Sequence, residues 1–550
     1  MTGAWLKSHA PVLFCPVGEP WLRAAVIASG HVSTASFPYR SYRPGQKEAI
    51  DAAREAFEAG KRFVVVEAPT GSGKSGIAVT MARESDNAFV VTAQKLLQDQ
   101  YVHDFPDLAL MKGRANYPCL IAPTHAAAAP CLAGRKLPEC EDCPYFTAKD
   151  AAIAASNTTM NYAYYLAELN YSGGFGEREL LVLDEAHNAE AALMNFAQVT
   201  VSDQLLATAG VPAQLPPFAQ DRQDWFDWAE ELLPLLTKRS AELEERIREA
   251  PIGSELSLAM LRSRQWLDNS GRRLQDLLLS HDAGETDWVV EQTRRSEGQA
   301  VTFKPVRVAA FADEYLFRHG RRVLMLSATI LDADTYLASL GIDPEDAAVI
   351  RVDSDFPLRN RPIKLRPSAR LTRHHLERDL PRLAQAIARV MDEHPTEKGV
   401  IHAHSYQIAG FIRQNLPAVH RNRLVVHFDS SGREAALHQH MTSPDATVLL
   451  TPSMTEGIDL ADDLARWQVL CKIPYPNLGD PQVKARSETD RSWYDWRTCL
   501  SVVQAYGRVV RGRDDYAVTY LLDADFPAFI RRQRQRLPDW FMDAVEPDGD

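Results

Sequence analysis

Three clusters in this 550-residue chain have residue types and spacing that could do chemistry. The first is APTGSGKS, Ala68 to Ser75. It follows an apolar run from Phe63 to Val66 and precedes a stretch that reads as a helix from Lys74, the strand–loop–helix setting a phosphate loop requires. Gly71 and Gly73 let backbone N–H groups close around phosphate oxygens, with Pro69, Thr70 and Ser72 completing the loop, and the helix N-terminus adds a favourable dipole. Lys74 is expected on the β- and γ-phosphates and the Ser75 hydroxyl on Mg2+, which makes ATP with Mg2+ the implied ligand. The second cluster is LVLDEAH, Leu181 to His187. An apolar strand from Glu179 to Leu183 ends there in Asp184 and Glu185, at the strand end where α/β sheets place ligand chemistry. Asp184 suits Mg2+, and Glu185 suits orienting or deprotonating an attacking water.

The third cluster lies between the other two. Four of the seven cysteines fall within 25 residues, spaced Cys119-x11-Cys131-x8-Cys140-x2-Cys143. Pro11, Pro16 and Glu19 interrupt any apolar segment near the N-terminus, so no export signal is expected and the location is read as cytoplasmic. In a reducing compartment clustered thiols are metal ligands rather than disulfide partners. Four thiolates hold a tetrahedral zinc or a [4Fe–4S] cluster, and spacing alone does not choose between them. Cys15, Cys471 and Cys499 stand alone and read as ordinary buried thiols. Near the C-terminus, QAYGRVVRG (Gln504 to Gly512) carries Arg508 and Arg511 three apart, on one face if the segment is helical. Two such guanidiniums suit a γ-phosphate approached from a second domain, and equally a salt-bridged surface helix.

The elements that position these groups must come from a chain of ordinary globular composition, 45% hydrophobic and 24% charged. No run approaches the roughly 20 apolar residues of a membrane-spanning helix. The net charge of −12 does not advertise a nucleic-acid binder. A binding groove needs only local positive potential, which Arg359 to Arg382 and Arg531 to Arg536 supply in sequence. From Gln204 to Leu279 apolar residues recur at intervals of three and four, the mark of amphipathic packing helices. Trp225, Trp228 and Trp266 there read as helix-packing anchors before base-stacking platforms.

Taken in order, the motifs resemble the XPD/DinG family of iron–sulfur superfamily 2 DNA helicases, from about Tyr39 to Ala544. YRPGQKEAI (Tyr39 to Ile50) resembles the family's adenine-reading motif, with Gln46 as the base contact. VVTAQKLLQDQ (Val90 to Gln100) resembles its strand-contacting motif, and LMLSATI (Leu324 to Ile330) the motif coupling hydrolysis to movement. TEGIDL (Thr455 to Leu460) resembles the segment in which Glu456, Gly457 and Asp459 link nucleotide and strand. QAYGRVVR matches the arginine-finger motif, which assigns Gln504, Arg508 and Arg511 to the ATP site. KIPYPNLGDPQVKAR (Lys472 to Arg486) resembles the segment following TEGIDL. GVIHAHSY resembles the first motif of the second motor domain, where Ser405 and Tyr406 face the strand. KGRANYPC before the first cysteine and CPYF after the last resemble the family's cluster domain, and on that resemblance [4Fe–4S] is expected over zinc. A segment this small needs such a staple to fold.

The resemblance implies an α/β protein of two RecA-like motor domains, the first carrying a small iron–sulfur insertion and a helical Arch insertion. The expected layout is an extension of unassigned role at 1–35, the first motor domain at 36–110, 161–195 and 301–345, the cluster domain at 111–160, the Arch at 196–300 and the second motor domain at 346–550. It further implies ATP-driven movement along single-stranded DNA and unwinding of tailed or forked duplexes, with 5′ to 3′ polarity carried by the resemblance and by no residue. Two alternatives stay open: a translocase that remodels DNA–RNA hybrids, and a nucleic-acid scaffold switched by ATP. No membrane is implied, and protein partners are not readable.

Overall fold

The computed structural model describes residues 36–546 apart from 123, 130, 132–139, 217–220, 252–253, 285, 296–297, 355, 428–431, 453–459 and 511. Glu456, Gly457 and Asp459 of the TEGIDL motif, together with Arg511, Cys15 and the extension 1–35, therefore lie outside the described residues.

In chain order the strands begin with β1 (Phe63–Glu67), β2 (Ala88–Thr92), β3 (Ala109–Leu110), β4 (Asn157–Asn161) and β5 (Arg178–Asp184). Next come β6 (Val199–Ser202), β7 (Trp288–Arg295) and β8 (Gly298–Pro305), then β9 (Gly320–Ser327) and β10 (Ala347–Arg351). The C-terminal half contributes β11 (Ile363–Ala369), β12 (Gly399–His402), β13 (Leu424–Val426), β14 (Val448–Thr451), β15 (Trp467–Leu470), β16 (Val518–Asp523) and β17 (Val545–Glu546).

Two seven-stranded sheets result, ordered β10-β1-β9-β5-β2-β4-β3 and β13-β14-β12-β15-β16-β11-β17, and every pairing in both is parallel. Their central strands are buried over nearly their whole length, as in FVVVE and AFVVT. Continuous apolar runs of this kind suit strands covered by helices on both faces. The first sheet order decides where chemistry can occur. It sets β9 between β1 and β5, so the phosphate loop, Ser327 and Asp184 emerge side by side from one sheet edge, about 4.8 Å apart per strand.

After β5 the chain leaves the first sheet, and between β6 and β7 it forms two 28-residue helices, Arg222–Glu249 and Glu255–Asp282. Each begins on a built cap: Asp221 and Asp224 form a reciprocal capping box, and Ser254 accepts the Ser257 N–H. Trp225 and Trp228 are buried, and Phe226 stacks on His281 with ring centroids 3.7 Å apart. The two tryptophans thus pack the helical hairpin, each buried ring contributing about 1.5–3 kcal/mol. The TDWVVEQ and AVTFKPVRV stretches form β7 and β8, and β8 pairs antiparallel with both β7 and β6 in a separate sheet at the hairpin's root.

Candidate nucleotide site and cysteine cluster

The phosphate loop follows β1 and opens the helix Lys74–Glu84. Gly71 and Gly73 lie at φ of 83° and 82°, a left-handed conformation that side chains resist. A Cβ on Gly73 would also meet Gln46 Nε2 at 2.5 Å. Ser72 Oγ donates to Pro69 O at 2.7 Å, and Lys74 Nζ reaches Ala68 O at 3.2 Å, so the lysine rests on the loop's own carbonyls. Gln46 is buried, accepts the Arg43 N–H at 2.9 Å and donates to Gly73 O at 2.8 Å. Arg43 also donates to Gly71 O. The motif around Gln46 therefore braces the loop.

Asp184 ends β5 beneath this loop. It is buried and accepts the Tyr101 hydroxyl at 3.0 Å. Burial, and then the Glu185 carboxylate, push its pKa up to about 6, with Lys74 and Tyr101 pulling the other way. Glu185 sits at φ 50°, a left-handed conformation rare for a residue with a side chain and typical of positions where surrounding structure enforces geometry. Two residues on, His187 Nε2 lies 2.9 Å from Asn188 Nδ2 and Nδ1 lies 2.8 Å from Ser327 Oγ. With the Asn188 amide donating, Nδ1–H donates to Ser327, whose Oγ also accepts the Thr329 N–H at 3.0 Å. Thr329 Oγ1 accepts from Gln504 Nε2 at 3.3 Å. A polar chain thus runs from the acid pair, through the end of β9, to the second domain.

Gln504 lies in the helix Arg491–Tyr506. That helix ends at Gly507, so Arg508 follows it rather than sharing a helical face with position 511; glycine's poor helix propensity ends the run. Pro69, Thr70, Glu185 and His187 from one domain, with Gln504 and Arg508 from the other, line a single cleft with a cavity of about 70 Å³. Ser75 sits in the first turn of the loop's helix. Arg361 and Trp540 close the cleft on the second-domain side. Neither they nor Tyr101 stood out in sequence, because each lies outside the loop and acid motifs. The nearest signals were indirect: Tyr101 directly follows the strand-contacting motif, and Arg361 falls within the basic stretch Arg359 to Arg382.

Cys119, Cys131, Cys140 and Cys143 are all free thiols, the last of them buried. Cys119 N–H donates to Thr124 O at 2.8 Å, and Cys143 N–H to Cys140 O at 3.1 Å, so tight turns present the first and last pair. Burial, and then the Cys143, Cys140 and Cys119 thiols, push the Cys131 pKa up, while Arg114 opposes them. The four sulfurs therefore share one electrostatic neighbourhood. Among the described residues no group of three or more His, Cys, Asp or Glu is arranged to hold a metal ion. The donor set itself, four free thiols beside one guanidinium, suits a thiolate-ligated centre of negative total charge.

A family model for a helicase C-terminal domain matches residues 387–544, and one for the res subunit of type III restriction enzymes matches residues 40–209. The ATP-dependent DNA helicase YoaA of Escherichia coli K12 is 23% identical over 598 residues, covering 88% of this chain and 91% of that protein. Among solved structures, an XPD helicase superposes with a TM-score of 0.60 at 14% identity, covering 90% of this chain and 98% of that one, and Xpd4 of S. tokodaii with 0.55. Over nearly its whole length the chain is therefore similar to ATP-dependent DNA helicases of the XPD/DinG type. A shorter match is to the regulator of telomere elongation helicase 1 homolog of Drosophila grimshawi, 35% identical over 100 residues but spanning only 10% of that protein. Among the described residues of this XPD/DinG-like chain no helix is long and apolar enough to cross a membrane.

Proposed function

We propose that the protein is an ATP-dependent DNA helicase that moves 5′ to 3′ along one strand and separates duplex ahead of it. The observation that carries this reading is the two-walled cleft. Pro69 and Thr70 of the phosphate loop and Glu185 of the acid pair face Gln504 and Arg508 across it, as hydrolysis driving domain closure requires. Pro69 to Ser75 cradle the phosphates, with Lys74 leaving its loop carbonyls for the β- and γ-oxygens. Gln46 reads the adenine edge with the amide N–H not spent on Gly73, since a carboxamide carries two. Ser75 and Asp184 would hold Mg2+, which supplies charge neutralisation at the phosphates. Glu185 orients the attacking water and accepts its proton. Arg508 and Arg511 stabilise the charge on the transferred group from the second domain, and Gly457 and Asp459 link that change to the strand.

Cys119, Cys131, Cys140 and Cys143 would hold a [4Fe–4S] cluster, whose contribution is folding energy for a segment too small to bury a core. The hairpin Arg222–Asp282 is assigned as the Arch. Free thiols in this role belong to a reducing compartment, so the cytoplasm is the proposed location. Strand contacts are to the backbone and therefore salt-sensitive and largely independent of sequence. The test is ATP-dependent strand displacement on 5′-tailed and 3′-tailed duplexes, with Lys74→Ala as control. Displacement of the 5′-tailed duplex alone is expected. DNA-stimulated ATPase without displacement would move the assignment to a translocase acting on DNA–RNA hybrids.

A further inference from the structure

The KIPYPNLGDPQVKAR segment ends in a residue that the nucleotide site leaves unused. Arg486 is 2% exposed and lies on the helix Pro481–Thr489, immediately before the cleft-lining helix Arg491–Tyr506. Its guanidinium meets three separate bodies. One is Glu190 Oε1 at 3.3 Å, on the helix Ala189–Ala197 that begins four residues after Glu185. Another is Val306 O at 3.5 Å, just beyond β8 at the root of the helical hairpin. The third is Asp490 Oδ2 at 3.3 Å, the cap of the cleft-lining helix. Its plane lies 4.8 Å from the centre of the Trp493 ring, and Trp493 Nε1 in turn lies 3.0 Å from both Glu190 oxygens.

Neighbouring contacts tie the same bodies. Gln482 Nε2 donates to Val306 O at 2.8 Å, and Lys304 of β8 pairs with Asp480, the cap of the Arg486 helix, at 3.0 Å. Trp496 Nε1 donates to Ile330 O at 2.8 Å, on the loop that carries Thr329. The helix Arg491–Tyr506 has 16 residues, about 24 Å at 1.5 Å per residue. One end is held at the Arg486 junction and the other presents Gln504 to the cleft. An arginine suits such a junction because its planar fork fixes several acceptors in different directions, which a lysine ammonium does not. A buried ion pair is poor evidence for stability on its own; its attested value is in fixing one arrangement among several.

We propose that Arg486, with Glu190, is a positioning residue that transmits closure of the nucleotide cleft to the root of the helical hairpin, so that hydrolysis is converted into strand separation. The inference rests on the helicase reading above and assigns that activity its coupling element.

The experiment measures base pairs displaced per ATP hydrolysed on a 5′-tailed duplex, beside ATPase on single-stranded DNA and thermal midpoint. Wild type is measured first: absence of displacement there removes the helicase reading itself, before any variant is interpreted. Arg486→Met leaves Glu190 buried without its cation and is expected to lower the midpoint. Glu190→Gln combined with Arg486→Met removes both charges, keeps an acceptor for Trp493 Nε1 and is expected to restore most of that loss. In the double variant, single-strand ATPase should stay within about twofold of wild type while base pairs per ATP fall about tenfold. Arg486→Lys, which keeps the charge and loses the fork, should show the same split and serves if the double variant does not fold. Recovery of coupling together with the midpoint would mean a stabilising pair and nothing more. An equal fall of ATPase and displacement in Arg486→Lys would place the effect in the nucleotide site and overturn the proposal.

Discussion

Replacing Asp184 with asparagine should strengthen the nucleotide-free fold above pH 6 while abolishing hydrolysis. The Asp184 carboxyl titrates at about 6, against an ordinary value of 3.8, because burial and Glu185 both disfavour its charge. An acid whose folded pKa exceeds its unfolded one binds its proton more tightly when folded, so ionising it weakens the fold. Stability from this group is complete below about pH 4, falls as pH rises between the two values and levels off above pH 6. A displacement of about two units at 1.36 kcal/mol each gives a loss of about 3 kcal/mol. Asparagine does not ionise, and its carbonyl oxygen accepts the Tyr101 hydroxyl as the carboxylate does. At 2–4 °C per kcal/mol for a domain of this size, the variant should melt about 6–12 °C higher at pH 8 without Mg2+ or nucleotide. The difference should shrink as pH falls below 6 and vanish only below about pH 4. Mg2+ should narrow it at pH 8 by stabilising the wild-type carboxylate alone. Thermal melts of both proteins across this range, in chelator and then in Mg2+, test the reasoning. An offset independent of pH, or a variant less stable at pH 8, refutes it. The expected outcome is a site that gives up stability to keep a charge where the metal needs one.

Glu185→Gln should bind ATP normally and hydrolyse it 100- to 10,000-fold more slowly, the range for loss of a positioned general base, as single-turnover assays would show. Cys119→Ser should lose the visible absorption of the purified protein and its duplex displacement while retaining nucleotide binding; displacement at wild-type rate by a colourless protein would rule out a required cluster. Arg178→Met tests the seam between the cysteine-rich insertion and the acid-bearing strand. Arg178 is buried, donates to Ala88 O and Ala152 O at 3.0 Å and to Ser156 O, and lies 4.5 Å over the Phe89 ring. Its loss should cost about 1–3 kcal/mol in urea unfolding, softened because those carbonyls have other donors.

The groups proposed to touch phosphate could be picked out in sequence because their chemistry is local. A glycine loop needs left-handed backbone at Gly71 and Gly73, and an acid pair needs a buried strand before it, and both demands fall within ten residues of chain. The same holds for the amphipathic hairpin, whose apolar spacing announces its helices. What sequence left dark is pairwise and distant. Gln46 matched a base-reading motif, yet nothing nearby signals that its amide also braces Gly73, 27 residues on. Glu190 reads as one more exposed helix acid until Trp493, 303 residues later, is placed against it. Position 508 looked helical from spacing, whereas Gly507 ends the helix first. This division has a consequence for variants. Changes at locally encoded positions remove hydrolysis outright, because each performs a step that no neighbour can perform. Changes at the distant pairs leave every reacting group in place and alter only which arrangement of the two domains hydrolysis favours. Loss of turnover and loss of coupling should therefore map to different residues in this chain, the first along the strand ends β1, β5 and β9, the second along the buried contacts from Glu190 to Val306.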